Sequence, residues 1–170
     1  MDVFLEQIIK KKASGIDYLI YLGVIVAAII LLLASMIFIP TLSVMVLAGA
    51  IFGAYYLITM RDLEYEYSFT NGDLTVDKII HRRSRKRLIS FDVHTVEEMG
   101  KYDPQKHAAR DYSKRLIVSQ YADGRDSWYM TFRHSKFGNT LLVFTPDEKI
   151  LAAVKGFLPR QVAVDAFRGN

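Results

Sequence analysis

The chain has 170 residues, with 22 Lys and Arg against 18 Asp and Glu, a net charge of +4, and an apolar fraction of 51% that is concentrated toward one end. Its length allows one soluble domain beside whatever the apolar end forms. The absence of cysteine excludes disulfides, thiolate nucleophiles and Cys-ligated zinc or iron–sulfur sites, and the four histidines, His81, His94, His107 and His134, are spaced as surface residues rather than as a metal-ligand pair.

In the first segment, residues 1–15, Phe4, Leu5, Ile8 and Ile9 recur at helical spacing ahead of Lys10, Lys11 and Lys12. A short helix in the membrane interface fits this pattern, and so does a frayed terminus. From Tyr18 to Met60 no Asp, Glu, Lys, Arg or His occurs, a run more than twice the ~20 apolar residues that cross a bilayer. Pro40 divides it, so residues 16–60 are expected to form a transmembrane helical hairpin with its turn near 40–43. A signal peptide competes for Lys10–Lys12 and the first apolar stretch, but that stretch is too long and runs straight into a second span. Gly49 and Gly53 form a Gly-x-x-x-Gly on the second span, expected to admit close packing against the first span, with dimerisation as the alternative. Lys10, Lys11, Lys12 and Arg61 flank the terminal side of both spans while the turn has no cation. The chain is therefore expected in the cell membrane with both termini cytoplasmic.

The soluble domain is expected over residues 61–170, which hold 19 of the 22 Lys and Arg and 15 of the 18 Asp and Glu. Residues 64–70 alternate polar and aromatic side chains as a half-buried strand does, and Asn71-Gly72 is a hairpin turn signal before a returning strand at 74–81. Further strands are expected at 88–91, 116–121, 128–133 and 140–144, with 93–99 either a strand or a helical turn and 101–114 a polar loop. Thr145, Pro146 and Glu148 match an N-cap, a first-turn proline and a capping box, which predicts a helix over 146–158 that ends at Pro159. The expected class is a membrane α-helical hairpin plus a β-rich (α+β) domain, a small sandwich or barrel of six to seven antiparallel strands with one C-terminal helix.

This element order resembles the pleckstrin-homology-like (PH-like) fold. Across the whole chain, the two spans followed by Leu63-Glu64-Tyr65-Glu66-Tyr67, Thr70-Asn71-Gly72, Asp77-Lys78-Ile79-Ile80, Arg85-Lys86-Arg87-Leu88 and Leu158-Pro159-Arg160-Gln161-Val162 are similar to the DUF6106 family, small two-span membrane proteins of Gram-positive bacteria. The resemblance implies a PH-like soluble domain and carries no functional residue with it.

Arg82, Arg83, Arg85, Lys86 and Arg87 place five cations in six positions at an expected hairpin tip. Anionic lipid head groups are the natural partner, and a solvated turn that only sets topology is the bland alternative. Tyr65, Tyr67, Tyr121, Trp128 and Phe132 could stack on bases, but strand aromatics more often fill a core and no RNA-binding signature accompanies them. Asp92 with His94, and Glu97 with Glu98, lack the spacing of an acid–base pair, since neighbours on a strand face opposite sides. With no nucleophile elbow, phosphate loop or cofactor motif, neither enzymatic activity nor a cofactor is expected. The leading expectation is a membrane-anchored binding or scaffold module that meets lipid or a membrane or cytoplasmic protein. The alternative is a non-catalytic accessory subunit of a membrane complex.

Overall fold

The computed structural model describes residues 3–168. They form two compact units, Ala13–Leu63 and the residues on either side of that segment.

In the first unit Ser14 caps α1 (Gly15–Phe38) through a reciprocal pair with Asp17, satisfying otherwise free backbone donors. A 3-10 turn at Pro40–Leu42 leads into α2 (Ser43–Thr59). α1 and the segment Pro40–Thr59, the 3-10 turn with α2, are each long and apolar enough to cross a membrane. At ~1.5 Å per residue the first is long enough for a ~30 Å hydrocarbon core. Large apolar side chains such as Leu22, Ile29, Phe38 and Phe52 project outward, as lipid permits and water does not. Arg61 donates from Nε to Asp17 Oδ1 at 2.9 Å, joining the residues just beyond α2 to the first turn of α1.

The second unit is a two-sheet sandwich. One sheet has the order β1 (Phe4–Lys10), β2 (Leu63–Thr70), β3 (Asp73–Ile80) and β4 (Ser84–Asp92). In the other, β5 (Val96–Lys101) pairs with β7 (Trp128–His134), which pairs with β8 (Gly138–Phe144), which pairs with β6 (Lys114–Ile117). Three helices complete the unit: α3 (Pro104–Ala108), α4 (Glu148–Phe157) and α5 (Arg160–Ala166).

Alternation explains most of this. Tyr65, Tyr67 and Phe69 point into the core from β2, and Leu74, Val76, Ile89 and Phe91 meet them from β3 and β4. Phe91 stacks on Phe132 of β7 at 3.7 Å between ring centroids, and α4 closes the core with Ile150 and Val154. Each such side chain contributes about 1.5–3 kcal/mol by leaving water. Tyr65, Tyr67, Trp128 and Phe132 are thus core residues and not stacking platforms. Gly72 is needed at the β2–β3 turn because its φ of +101° lies in the left-handed region and a Cβ there would stand 2.9 Å from Phe157.

Several expectations change. Residues 4–10 are neither an interfacial helix nor frayed: they form a strand in register with β2, Leu5 opposite Phe69 and Ile9 opposite Tyr65. The four-residue step between Leu5 and Ile9 fits a helix face and, being even, a strand face equally well. The sandwich therefore has eight strands, one more than expected. Those strands are not all antiparallel, since β6 runs parallel to β8. Residues 93–99 divide into a 3-10 turn at Val93–Thr95 and the start of β5, and α3 lies in the expected loop. The C-terminal helix begins after Asp147, whose carboxylate accepts from Ile150 N at 2.8 Å; it ends before Pro159 as expected, and a further helix, α5, follows. Thr145 serves elsewhere: its hydroxyl meets Ser127 Oγ at 3.1 Å and Gln120 N at 3.2 Å.

Candidate anionic-surface site

The basic segment does not sit on the hairpin tip as a whole. Residues 81–83 make the turn, with His81 and Arg82 at φ of 48° and 54°, and Ser84, expected in the turn, already pairs with Ile80. Arg82 and Arg83 thus occupy the turn while Arg85, Lys86 and Arg87 lie along β4.

Three of the five cations face carboxylates from β2 and β3. Arg82 Nε lies 3.2 Å from Glu64 Oε1, Arg85 Nη2 lies 2.6 Å from Glu66 Oε2, and Arg87 Nε lies 3.1 Å from Asp77 Oδ1. The carboxylates are buried while the arginines remain largely exposed, so the guanidinium groups lie over the acids and keep a solvent-facing side. Arg85 and Glu66 form an ion pair without hydrogen-bond alignment, leaving Glu66 Oε2 buried and otherwise unsatisfied. Burial raises the Glu66 pKa above the ordinary carboxylate value, Arg85 opposes the rise, and Glu6 on β1 adds to it. The hydrogen bond to Asp77 raises that of Arg87. Arg83 and Lys86 have no ion-pair partner among the described residues. Ile8 and Ile79 join Arg82, Arg83 and Arg85 around a depression of about 510 Å³.

The position of this cluster in the chain matters more than its charge. Lys10 pairs with Glu64, so β1 ends where β2 begins, and the Arg82–Glu64 contact brings the β3–β4 turn to that same end of the sheet. Between Lys10 and Glu64 the chain makes the entire helical hairpin. The residue before that hairpin is also held: Lys12 donates to the Tyr121 hydroxyl at 2.8 Å, and Arg125 lies 4.0 Å over the Tyr121 ring.

The sequence profile of a bacterial PH-like domain, DUF6106, matches residues 1–164. The chain belongs to that family. Its PH-like unit is the eight-stranded sandwich with α4 across its core, and its two apolar helices fit a two-span membrane protein. No curated protein and no solved structure matches the chain.

Other sequence-singled residues fall differently in this PH-like protein. The 3-10 turn brings His94 Nδ1 to 2.7 Å from Asp92 Oδ1, contrary to strand spacing, and Asp92 also accepts from His94 N at 2.8 Å. Those hydrogen bonds hold the Asp92 pKa below the usual range and mark it as the cap of that turn. Glu98 pairs with Arg110 at 2.5 Å. Among the described residues no three His, Asp or Glu gather as a metal site. A Cβ on Gly49 or Gly53 would meet nothing within 4 Å. They face an apolar groove shared with Gly23 and Ala27. The carboxylates Glu64, Glu66 and Asp77 went unnoticed in the sequence, although Glu64-x-Glu66 on one strand face ahead of an Arg-rich strand is the signal that finds them.

Proposed function

We propose that this protein is a membrane-anchored, non-catalytic binding module whose basic β3–β4 turn contacts anionic lipid head groups on the cytoplasmic side. The pairing of Lys10 with Glu64, and of Glu64 with Arg82, carries the reading. Residues 11–14 and 60–62 are the only links between the strands and the helices. At ~3.5 Å per residue they reach no more than about 14 Å and 10 Å. These short links tether that end of the sheet to the helices. Because the chain leaves and re-enters one sheet, two crossings return it to the same side, and Lys10, Lys11, Lys12 and Arg61 favour the cytoplasmic side.

The arginine–carboxylate pairs shape what the turn can do. Arg83 and Lys86 attract anionic lipid directly, while Arg82, Arg85 and Arg87 offer exposed guanidinium edges already oriented by buried acids. At ~1 kcal/mol for each cation near an anionic leaflet the interaction orients the domain, anchoring being supplied by the spans.

Hydrogen exchange of the full chain in nanodiscs tests this. Amides of residues 80–87 should be better protected in phosphatidylglycerol-containing discs than in phosphatidylcholine discs, and the difference should shrink in high salt. Equal protection in both lipids would overturn the lipid reading and shift weight to an accessory subunit whose spans make the specific contacts.

A further inference from the structure

A strand at the edge of a sheet leaves half its backbone donors and acceptors open to another strand, and folded proteins guard such edges with cations, bulges, brevity or a covering helix. Three of the four strand edges in the PH-like unit are guarded in these ways. β4 carries Arg85, Lys86 and Arg87, and its register with β3 breaks at Leu88. β5 is packed by α5, and β6 spans only Lys114–Ile117 and begins with Lys114 and Arg115. β1 differs. It runs in unbroken register with β2 from Phe4 to Lys10, without a bulge or proline, and its outward side chains Phe4 and Ile8 are each more than half exposed.

The open groups of β1 can be assigned. The Asn71 amide donates to the Val3 carbonyl, which fixes the alternation: odd residues from Val3 turn their backbone toward β2, while Phe4, Glu6, Ile8 and Lys10 turn theirs to the open edge. Lys12 continues the second series, and its amide is taken by the Gln120 carbonyl at 2.8 Å, so the open stretch closes just beyond Lys10. The same even residues hold the outer face of the sheet, since Leu5 and Ile9 pack on the core. Its charges, Glu6 and Lys10, are of opposite sign, with Ile8 midway between them.

We propose that β1 pairs antiparallel with β1 of a second copy of this chain, about a two-fold axis at Ile8, joining their two four-stranded sheets into one. In this register Glu6 of each copy lies opposite Lys10 of the other and the two Ile8 side chains meet, so the edge is complementary to itself, as a two-fold contact requires. The opposed residues all turn backbone groups to the edge, which lets ladder hydrogen bonds form throughout. Centring the axis on Glu6 would oppose like charges, and centring it on Gln7 would set Glu6 against Ile8. Within its own copy Glu6 adds to the burial that raises the Glu66 pKa, so an incoming Lys10 offsets a repulsion that the single chain retains. Two copies in one bilayer share a two-fold along its normal, and antiparallel edge strands have theirs perpendicular to the sheet. Both arginine-bearing faces therefore turn to the same side. The contact itself needs no lipid head group.

Because the chain has no cysteine, single-cysteine variants of the full chain in phosphatidylcholine liposomes test the proposal. At high lipid-to-protein ratio under mild oxidation, Ile8→Cys should give a disulfide-linked dimer, since directly opposed residues lie about 5.5 Å apart at Cα. Phe4→Cys should stay monomeric, because the two Phe4 positions stand roughly 26 Å apart along the strands. In the Ile8→Cys background, Glu6→Lys and Lys10→Glu should each slow cross-linking about tenfold by opposing like charges. Mixing those two chains should restore the rate, which a misfolded strand would not do. No dimer with Ile8→Cys, equal cross-linking of Phe4→Cys, or a mixture no faster than either charge variant alone would each overturn the proposal.

Discussion

Arg61 reaches back across the whole apolar run to Asp17, and Asp17 in turn accepts from both the backbone and hydroxyl of Ser14 at 2.8 Å. One carboxylate thereby caps α1 and ties it to the residues following α2. Asp17→Asn keeps the shape but loses the charge. It should destabilise the hairpin by about 2 kcal/mol, the worth of hydrogen bonds to a charged group. Thermal unfolding of the full chain in detergent should show a lower midpoint, whereas an unchanged midpoint would mean the pair is only a surface contact.

The helix cap is Asp147. Asp147→Ala should cost about 1 kcal/mol by freeing the Ile150 N–H. Thr145→Val should cost about 1–2 kcal/mol by a different route, removing the acceptor of Gln120 N while the Ser127 hydroxyl keeps the Arg125 carbonyl. Urea titration of the full chain separates the two through helix content: the first should fray α4, and the second should leave its helicity intact while lowering the midpoint.

Glu66 makes stability fall as pH rises. Its folded pKa lies above the ordinary 4.5, so the folded state holds the proton longer than the unfolded state. The stabilisation this gives is complete below 4.5 and is lost as pH climbs through the raised value. Glu66→Gln should flatten that part of the stability profile and leave the protein at least as stable at neutral pH, because burial outweighs the Arg85 attraction. A profile with the wild-type slope in the variant would assign the pH dependence to other groups.

The pairing of β1 with β2 can be trapped chemically. With no native cysteine, Glu6→Cys with Ser68→Cys introduces a single possible disulfide between directly opposed residues. Mild oxidation in membranes should join them, and Glu6→Cys with Asp111→Cys should stay reduced. Failure of the first pair to close would return residues 4–10 to the interfacial helix.

Much of this architecture was legible because composition separates it. A run without charge from Tyr18 to Met60 admits little besides spanning helices, and Asn71-Gly72 between alternating segments specifies a hairpin. What escaped was of three physical kinds. Leu5 and Ile9 satisfy two periodicities, and only the presence of Phe69 and Tyr65 across the sheet decides between them. Thr145 and Asp147 are both competent caps two residues apart, and the tertiary partners of the Thr145 hydroxyl settle the choice. Pro159 stops α4 and also starts α5, two roles that the same fixed φ permits. Within the basic site, the cations were plain in the sequence while the acids beneath them were not, since Glu64, Glu66 and Asp77 meet them only once the sheet has assembled.

The central claim is that the β3–β4 turn contacts anionic head groups. A spin label on Ser84→Cys, the sole thiol in that variant, measures it directly. In full-chain nanodiscs containing phosphatidylglycerol the label should be shielded from a water-soluble relaxation agent, and the shielding should weaken in high salt and in Arg83→Gln with Lys86→Gln. Equal accessibility in phosphatidylglycerol and phosphatidylcholine discs at low salt would contradict the claim.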